Sequence, residues 1–463
     1  MNSGKNEAGR WGAEARATFA LGWPIVLTQV AMTMLTTTAI ALAGKLSRLD
    51  IAVVSLANNL YYPAFMFSLG VVTAIAPMVA QAVGRRRQVV RDVRRTVRQG
   101  FWVALAVALC GMGVLWFAEP ILVLFGQAPL LAKKAAPYAR IMACGLVPAL
   151  WFIALRNFVT ALSRPRVVMI IAVLAVAFNA GLGWTLSQGH FGAPALGVEG
   201  IAISYAASSW FMFLLLLGYC YRERTLRRYH LLGRFWRADW RRFRDVLRLG
   251  VPIGLTVLME VGLFSAAVFM MGILGADSLA AHQIALQLAS LAFMVPLGMA
   301  QAVAVRVGIG AGAGNPDWVA RAGWTGIGLG TSFVVFAAVL FVTVPETLIG
   351  FFIDLGDEAN HEVLRLASVF LIVAAAFQIV DALQALGAGA LRGLKDTRWP
   401  MIMAAFGYWA VGFPIAWVLG FRLEFGGVGV WLGLAAGLAA TAMLMIGRFA
   451  LRRRFGIGGM RAA

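Results

Sequence analysis

Apolar runs of twenty or more residues recur from one end of this chain to the other, and most of the charges gather in the short segments between them. A run of that length is what a helix needs to cross the hydrocarbon of a bilayer at about 1.5 Å per residue. The pattern predicts twelve spans, over 17–45, 51–84, 98–127, 132–160, 166–190, 196–221, 245–274, 278–312, 321–345, 360–392, 397–420 and 427–450. The arm before them, MNSGKNEAGRWGAEAR, is polar. The first apolar run is too long for a removable signal peptide and lacks a small-residue cleavage site.

Composition agrees with the pattern. A 463-residue chain that is 61% hydrophobic and 13% charged, with a mean hydropathy of +0.81, exceeds what one soluble core can bury. A net charge of +20 would point to nucleic acid in a soluble protein, but here its distribution gives orientation instead. Most of the 40 Lys and Arg fall in or beside the N-terminal arm, the even-numbered connections and the C-terminus, while Glu346, Asp354, Asp357 and Glu358 lie on the opposite side. The positive-inside rule then places both termini in the cytoplasm. The basic stretch RERTLRRYHLLGRFWRADWRRFRDVLR, 222–248, reads as a linker lying on anionic lipid headgroups, so the expected partners are membrane lipids and not nucleic acid. Cys110, Cys144 and Cys220 have no metal-ligand spacing, and no structural disulfide is expected.

Sliding the chain against itself by 228 residues aligns LGWPIVLT, 21–28, with LGVPIGLT, 249–256, and leaves 22 of 64 positions identical over 21–84 against 249–312. This is an internal repeat. The shift spans six helices, an even number, so the copies share one orientation and their pseudo-two-fold axis is expected along the membrane normal. The predicted fold class is an all-α integral membrane protein with two six-helix bundles. The expected parts are an arm over 1–16, a first bundle over 17–221, a basic linker over 222–244, a second bundle over 245–450 and a tail over 451–463. Pro24 and Pro252 occupy the same place in the two copies, inside apolar runs, where each removes a backbone hydrogen bond and serves either as a hinge or as a packing kink.

LGWP with LGVP, GVEGIAISYA at 197–206, LAAHQIALQLASLAFMVPLG at 279–298, DALQALGAGALRGLKDTRWP at 381–400 and GGVGVWLGL at 426–434 together resemble the multidrug and toxic compound extrusion family, in its NorM-like bacterial branch. The resemblance covers essentially the whole chain. It implies a monomeric inner-membrane antiporter, without cofactor, that expels drug-like organic cations by alternating access while Na+ or H+ enters.

Buried acids are the candidates for coupling, because a charge inside a span is costly and marks an ion pathway or a paired structural site. Glu260 lies 12 residues beyond Arg248 and Asp381 lies 11 before Arg392, which puts both carboxylates roughly 16–18 Å from the same membrane face. If their helices adjoin, the pair offers hard oxygens to Na+ or a shared proton. The family places acids at these positions. Phe377, one turn before Asp381, either offers a ring face to a cation or packs. Gln283 and Gln287, with Asn58, Asn59, Tyr61 and Tyr62 in the first copy, either line a cavity or bond between helices. His282 is read as structural.

One family feature is missing. Aligning the glycine of TTTAIALAG to the family pattern puts an expected aspartate at residue 39, where this chain has Ala39, and the repeat partner is Ala267. A second expected acid, one turn after Asn179, is Gly183. Thr36, Thr37 and Thr38 with Asn179 either form a neutral polar site or bond back along their own helices. Rival readings are a lipid-linked precursor flippase, which would need Arg140, Arg156 and Arg365 in a central cavity, and a transport-inactive relative. No nucleophile elbow, Walker loop or His and acid cluster supports an enzyme, and the glycine-rich GIGAGAGNP follows a membrane helix rather than a strand.

Overall fold

The computed structural model describes residues 2–192, 194–233 and 235–457; residues 458–463 of the expected tail lie outside them. The described chain is all-α. Among the described residues twelve helices are long and apolar enough to cross a membrane: Arg10–Gly44, Leu49–Gly84, Val89–Trp116, Pro129–Ala161, Pro165–Gln188, Gly197–Arg222, Trp240–Leu274, Ala276–Gly312, Pro316–Thr343, His361–Gly393, Arg398–Arg422 and Gly426–Ala450. Helices are forced here because hydrocarbon offers backbone groups no partner except one another. Where helices begin in polar surroundings, side chains supply the missing acceptors. Ser47 Oγ accepts from the Asp50 amide at 3.1 Å, and Asn315 Oδ1 accepts from the amides of Asp317 and Trp318 at 3.1 and 2.9 Å.

Three helix ends depart furthest from expectation. The first helix begins at Asn2, so the polar arm is helical as well. The third begins at Val89 and ends at Trp116, nine residues earlier than expected at its start, because Arg91, Arg94 and Arg95 belong to its opening turns. The following Ala118–Leu124 is a separate short helix.

The chain forms two compact units that divide inside the first and seventh spans, not in front of them. One unit is Leu27–Gly254; the other takes the chain up to Val26 and resumes at Leu255. Both dividing helices run on without a break and contain Pro24 and Pro252 respectively. The repeat shift of 228 carries residue 26 onto 254, so both copies divide at the same point, two residues after the proline.

Packing inside each unit gives the reason. In the Leu27–Gly254 unit, a methyl group added at Gly70 would sit 2.6 Å from Gly254 Cα, and Val71, Met78, Val103, Val246 and Ile253 form a buried core around this approach. In the other unit a methyl at Gly298 would sit 2.9 Å from the Val26 amide nitrogen. Gly298 is the repeat image of Gly70, and Val26 that of Gly254. Side chains of any size would hold these helices apart, as in other glycine-mediated membrane contacts.

Polar clamps reinforce both arrangements. Glu14, only 6% exposed, accepts two hydrogen bonds from Arg306 at 2.7 and 2.6 Å and one from Trp318 Nε1 at 3.2 Å, fixing the arm to its unit. The basic linker is held by the third span. Arg95 Nε meets Asp239 Oδ2 at 2.6 Å, while Gln99 and Trp102 donate to the carbonyls of Arg237 and Phe235 at 3.3 and 3.1 Å. Trp236 and Trp240 stay exposed beside these anchors.

Gly70→Leu and Gly298→Leu are each expected to destabilise the purified protein by about 1–3 kcal/mol or more through overpacking. Gly113→Leu, at a position with open space, serves as the control and is expected to melt with the parent in a detergent thermal-shift assay. The hydrogen bond from Arg95 holds the Asp239 carboxyl below the usual carboxylate range. An acid more acidic in the fold than in the unfolded chain contributes stability above its unfolded pKa of about 4 and loses it as pH falls through its folded one. Asp239→Asn is therefore expected to lower the melting temperature by about 1–2 °C at neutral pH, with the gap closing as pH falls below about 4.

Candidate functional site

In the unit that resumes at Leu255, the apolar packing of spans 7, 8, 10, 11 and 12 encloses a group of polar side chains. Glu260 projects from span 7 and Asp381 from span 10, and the two carboxylates interact with each other electrostatically. Asp381 is 4% exposed and its Oδ1 has no hydrogen-bond partner. Arg392, eleven residues on in the same helix, interacts electrostatically with Glu260. Tyr408, fully buried, has its hydroxyl near Glu260 and within reach of the fields of Asp381 and Arg392, short of full hydrogen-bond geometry.

The backbone around Tyr408 is unusual. Phe406–Gly412 and Val418–Arg422 are π-helical turns in span 11. A π-turn widens the helix and turns side chains out of α-helical register, and such turns concentrate at functional sites. Glycines let span 12 approach closely here: a methyl at Gly437 would sit 2.7 Å from both Gly412 Cα and the Gly407 carbonyl.

More unpaired polar atoms lie on the same span as Asp381 and nearby. Both side-chain polar atoms of Gln378, one turn from Asp381, are buried without a partner. Phe377 is 1% exposed, with Phe264 and Trp431 in edge contact at centroid distances of 6.0 and 5.3 Å, so it is packed into an aromatic cluster. His282 stands 5.4 Å from the Trp431 ring, fully buried, with neither ring nitrogen bonded. Gln283 and Gln287 are exposed on one face of span 8.

The Leu27–Gly254 unit is built differently at the positions where acids were expected. Thr37 and Thr38 donate to the carbonyls of Thr33 and Met34 at 3.2 and 2.7 Å, so they bond back along their own helix. Ala39 is 4% exposed. Asn179, 1% exposed, donates to Ser204 Oγ at 3.4 Å, and Ser204 donates to the Ile201 carbonyl at 2.8 Å. A methyl at Gly183 would meet Leu42 Cδ1 at 2.7 Å and Ser204 Oγ at 3.0 Å. The space for the second acid is already filled.

Comparison with known proteins bears on the whole chain. The MatE family model matches residues 24–185 and 252–418, one stretch for each copy of the repeat. The chain belongs to the MatE family. It is 46% identical over 440 residues to a protein of Brucella suis named probable multidrug resistance protein NorM, covering 95% of this chain and 93% of that one. A protein of the same name from Mesorhizobium japonicum is 47% identical over 444 residues, covering 96% and 95%. Among solved structures, the eukaryotic MATE transporter AtDTX14 superposes with a TM-score of 0.84 at 20% identity, covering 94% of this chain and 95% of that one. The Vibrio cholerae MATE transporter VcmN in its bent form gives 0.85 at 13%, covering 96% and 98%. These likenesses show the shared fold, and the family is one of transporters, not enzymes.

Two arginines that the flippase reading would need in a central cavity are engaged locally in the MatE chain. Arg140 donates to the Trp116 carbonyl at 3.1 Å, and the exposed Arg365 pairs with Glu362, three residues away, at 2.6 Å. Sequence depth pointed to Glu260 and Asp381, but Arg392 served there only to mark a helix end, and Tyr408 gave no signal because the π-turns that orient it have no sequence signature.

Gly183→Ala is expected to lower the melting temperature, since Leu42 must shift to admit the methyl, at a cost of about 1 kcal/mol or more. Ala39→Asp places an isolated carboxyl in a packed apolar position and is expected to cost about 2–4 kcal/mol. Thermal melts of the purified variants against the parent measure both.

Proposed function

We propose that this protein is a secondary active multidrug exporter of the inner membrane. It expels organic cations or amphiphilic drugs in exchange for Na+ or H+ by alternating access, with both termini in the cytoplasm. The observation that carries the reading is the placement of buried Asp381 with half-buried Glu260 and Arg392 in one apolar unit. Two carboxylates and one guanidinium leave the ionised group one positive charge short of neutrality. A single Na+ or a single proton completes it, and either must be given up for the group to accept an organic cation. Hard carboxylate oxygens, with the carbonyl oxygen of Gln378 one turn away, suit Na+; two close acids equally suit one shared proton. Names carried by relatives, multidrug resistance proteins, point to drug-like substrates. Pro24 and Pro252, at the points where the compact units divide, are the proposed hinges. With acids absent at 39 and 183, coupling falls to the second unit alone.

Dye export from vesicles, driven by Na+ and pH gradients imposed separately, tests the reading. Glu260→Gln and Asp381→Asn are each expected to reduce gradient-driven export at least about 10-fold, which corresponds to about 1.4 kcal/mol of lost coupling. Equal transport by both variants and the parent would remove the acids from the mechanism. Whichever gradient drives the parent identifies the coupling ion.

A further inference from the structure

The basic segment that joins spans 6 and 7 is sorted by the fold into two layers. Phe235 turns inward and stacks on Trp102 at a centroid distance of 5.2 Å, and Asp239 turns inward to Arg95. Directly after each anchor come an exposed tryptophan and an exposed arginine: Trp236 and Arg237 after Phe235, Trp240 and Arg241 after Asp239. Trp236 is 81% exposed and Trp240 68%. An indole ring left that open to water forgoes the burial its apolar surface favours, and this one short stretch presents two of them.

The same sorting continues into span 7, Trp240–Leu274. Phe243, Val246 and Leu247 belong to the core of the Leu27–Gly254 unit, while Trp240, Arg241, Arg244 and Arg248 share the opposite, exposed face at helical spacing. Nearby acids are already committed elsewhere. Glu223 pairs with Arg164 at 2.9 Å, Asp239 with Arg95 at 2.6 Å and Asp92 with Arg242 at 3.4 Å. Asp245, half-buried, is the remaining carboxylate of the segment. Among the described residues Arg237, Arg241, Arg244 and Arg248 belong to no ion pair, so the exposed face keeps its positive charge.

We propose that Trp236, Arg237, Trp240, Arg241, Arg244 and Arg248 form a docking surface for the headgroups of anionic phospholipid. The two indole rings lie at headgroup level, where an amphipathic ring is favoured, and the guanidinium forks take phosphodiester oxygens through paired, charge-assisted hydrogen bonds. Continuity selects lipid over other polyanions. The surface runs unbroken into a helix long and apolar enough to cross a bilayer, and Arg248 lies eight residues beyond Trp240, about 12 Å further along that helix. At that depth its long side chain reaches back to the headgroups, a place lipid occupies and nucleic acid does not. Because Phe235 and Asp239 already hold the loop, little ordering cost falls on binding. The inference does not depend on what the protein exports.

Retention of radiolabelled phosphatidylglycerol and phosphatidylcholine by the immobilised, detergent-purified full chain tests the surface. The parent is expected to hold phosphatidylglycerol at least about 25-fold more tightly than phosphatidylcholine at low salt, with the preference shrinking as ionic strength rises. Arg237→Gln combined with Arg241→Gln is expected to weaken phosphatidylglycerol about 25-fold, roughly 5-fold for each arginine, and to leave phosphatidylcholine within about 2-fold of the parent. Trp236→Ala combined with Trp240→Ala is expected to weaken both lipids by a similar factor, since the rings do not read charge. These side chains are exposed, so each variant is expected to melt within about 2 °C of the parent in lipid-free detergent, which keeps folding out of the readout. Equal retention of the two lipids by the parent, or unchanged phosphatidylglycerol affinity in the arginine variant, overturns the proposal. Arg365→Gln combined with Arg422→Gln removes as much exposed charge from the other unit; a loss equal to that of the first pair would mean net charge rather than this surface, and overturns it too. So would a short RNA that displaces phosphatidylglycerol from the parent at matched phosphate concentration, which would assign the surface to nucleic acid.

Discussion

Close approach of backbone to backbone at two equivalent places governs this structure. Gly70 against Gly254 in one unit, and Gly298 against Val26 in the other, commit the opening half of a spanning helix to a unit other than the one its second half joins. Each of these helices is continuous and each has a proline just before the division. A proline gives up the hydrogen bond to the residue four before it, so the helix is softest where its two halves answer to different partners. The same logic explains the clamps. Glu14 with Arg306, and Arg95 with Asp239, secure the polar ends of the exchanged halves, where water competes and glycine contacts run out.

How much of this the sequence disclosed follows from the range of the forces involved. The spans were legible because hydrocarbon thickness imposes a length on any chain, and the repeat because identical residues at a constant shift need no structural knowledge. The helical start at Asn2 and the early start at Val89 were hidden. Polar and arginine-rich opening turns carry no apolar signal, and only the side chains that dock them reveal the helix. The division at residue 26 was hidden more deeply. A proline marks a weak point in a helix, but which neighbour each half prefers is decided by tertiary contacts at Gly70 and Gly298.

At the acids inside the spans the balance is similar. Counting residues from flanking arginines gave Glu260 and Asp381 a common depth, since depth in a helix is linear in sequence. Arg392 was visible as a number in that count, yet its electrostatic interaction with Glu260 depends on how two helices are placed in the fold. The enclosure of Phe377 by Phe264 and Trp431 decides in favour of packing a question that helical spacing had left open.

The residues shared by the two copies are apolar side chains and residues that shape backbone, among them Pro24 with Pro252, Gly44 with Gly272 and Gly70 with Gly298. Residues that carry charge are not shared. One copy has Glu260 and Asp381; the other has Arg156, with Ala39 and Gly183 where acids were expected. Glycines and prolines act by what they permit the main chain to do, so altering one disturbs a helix pair and everything packed on it. A carboxylate or guanidinium in a span is a local expense, tolerated only where a counter-charge or ligand answers it. Duplication therefore conserves the frame and frees the charges to diverge. Placing an acid at residue 39 alone would leave it without the second expected acid, whose position is closed: Leu42 and Ser204 already occupy the space beside Gly183.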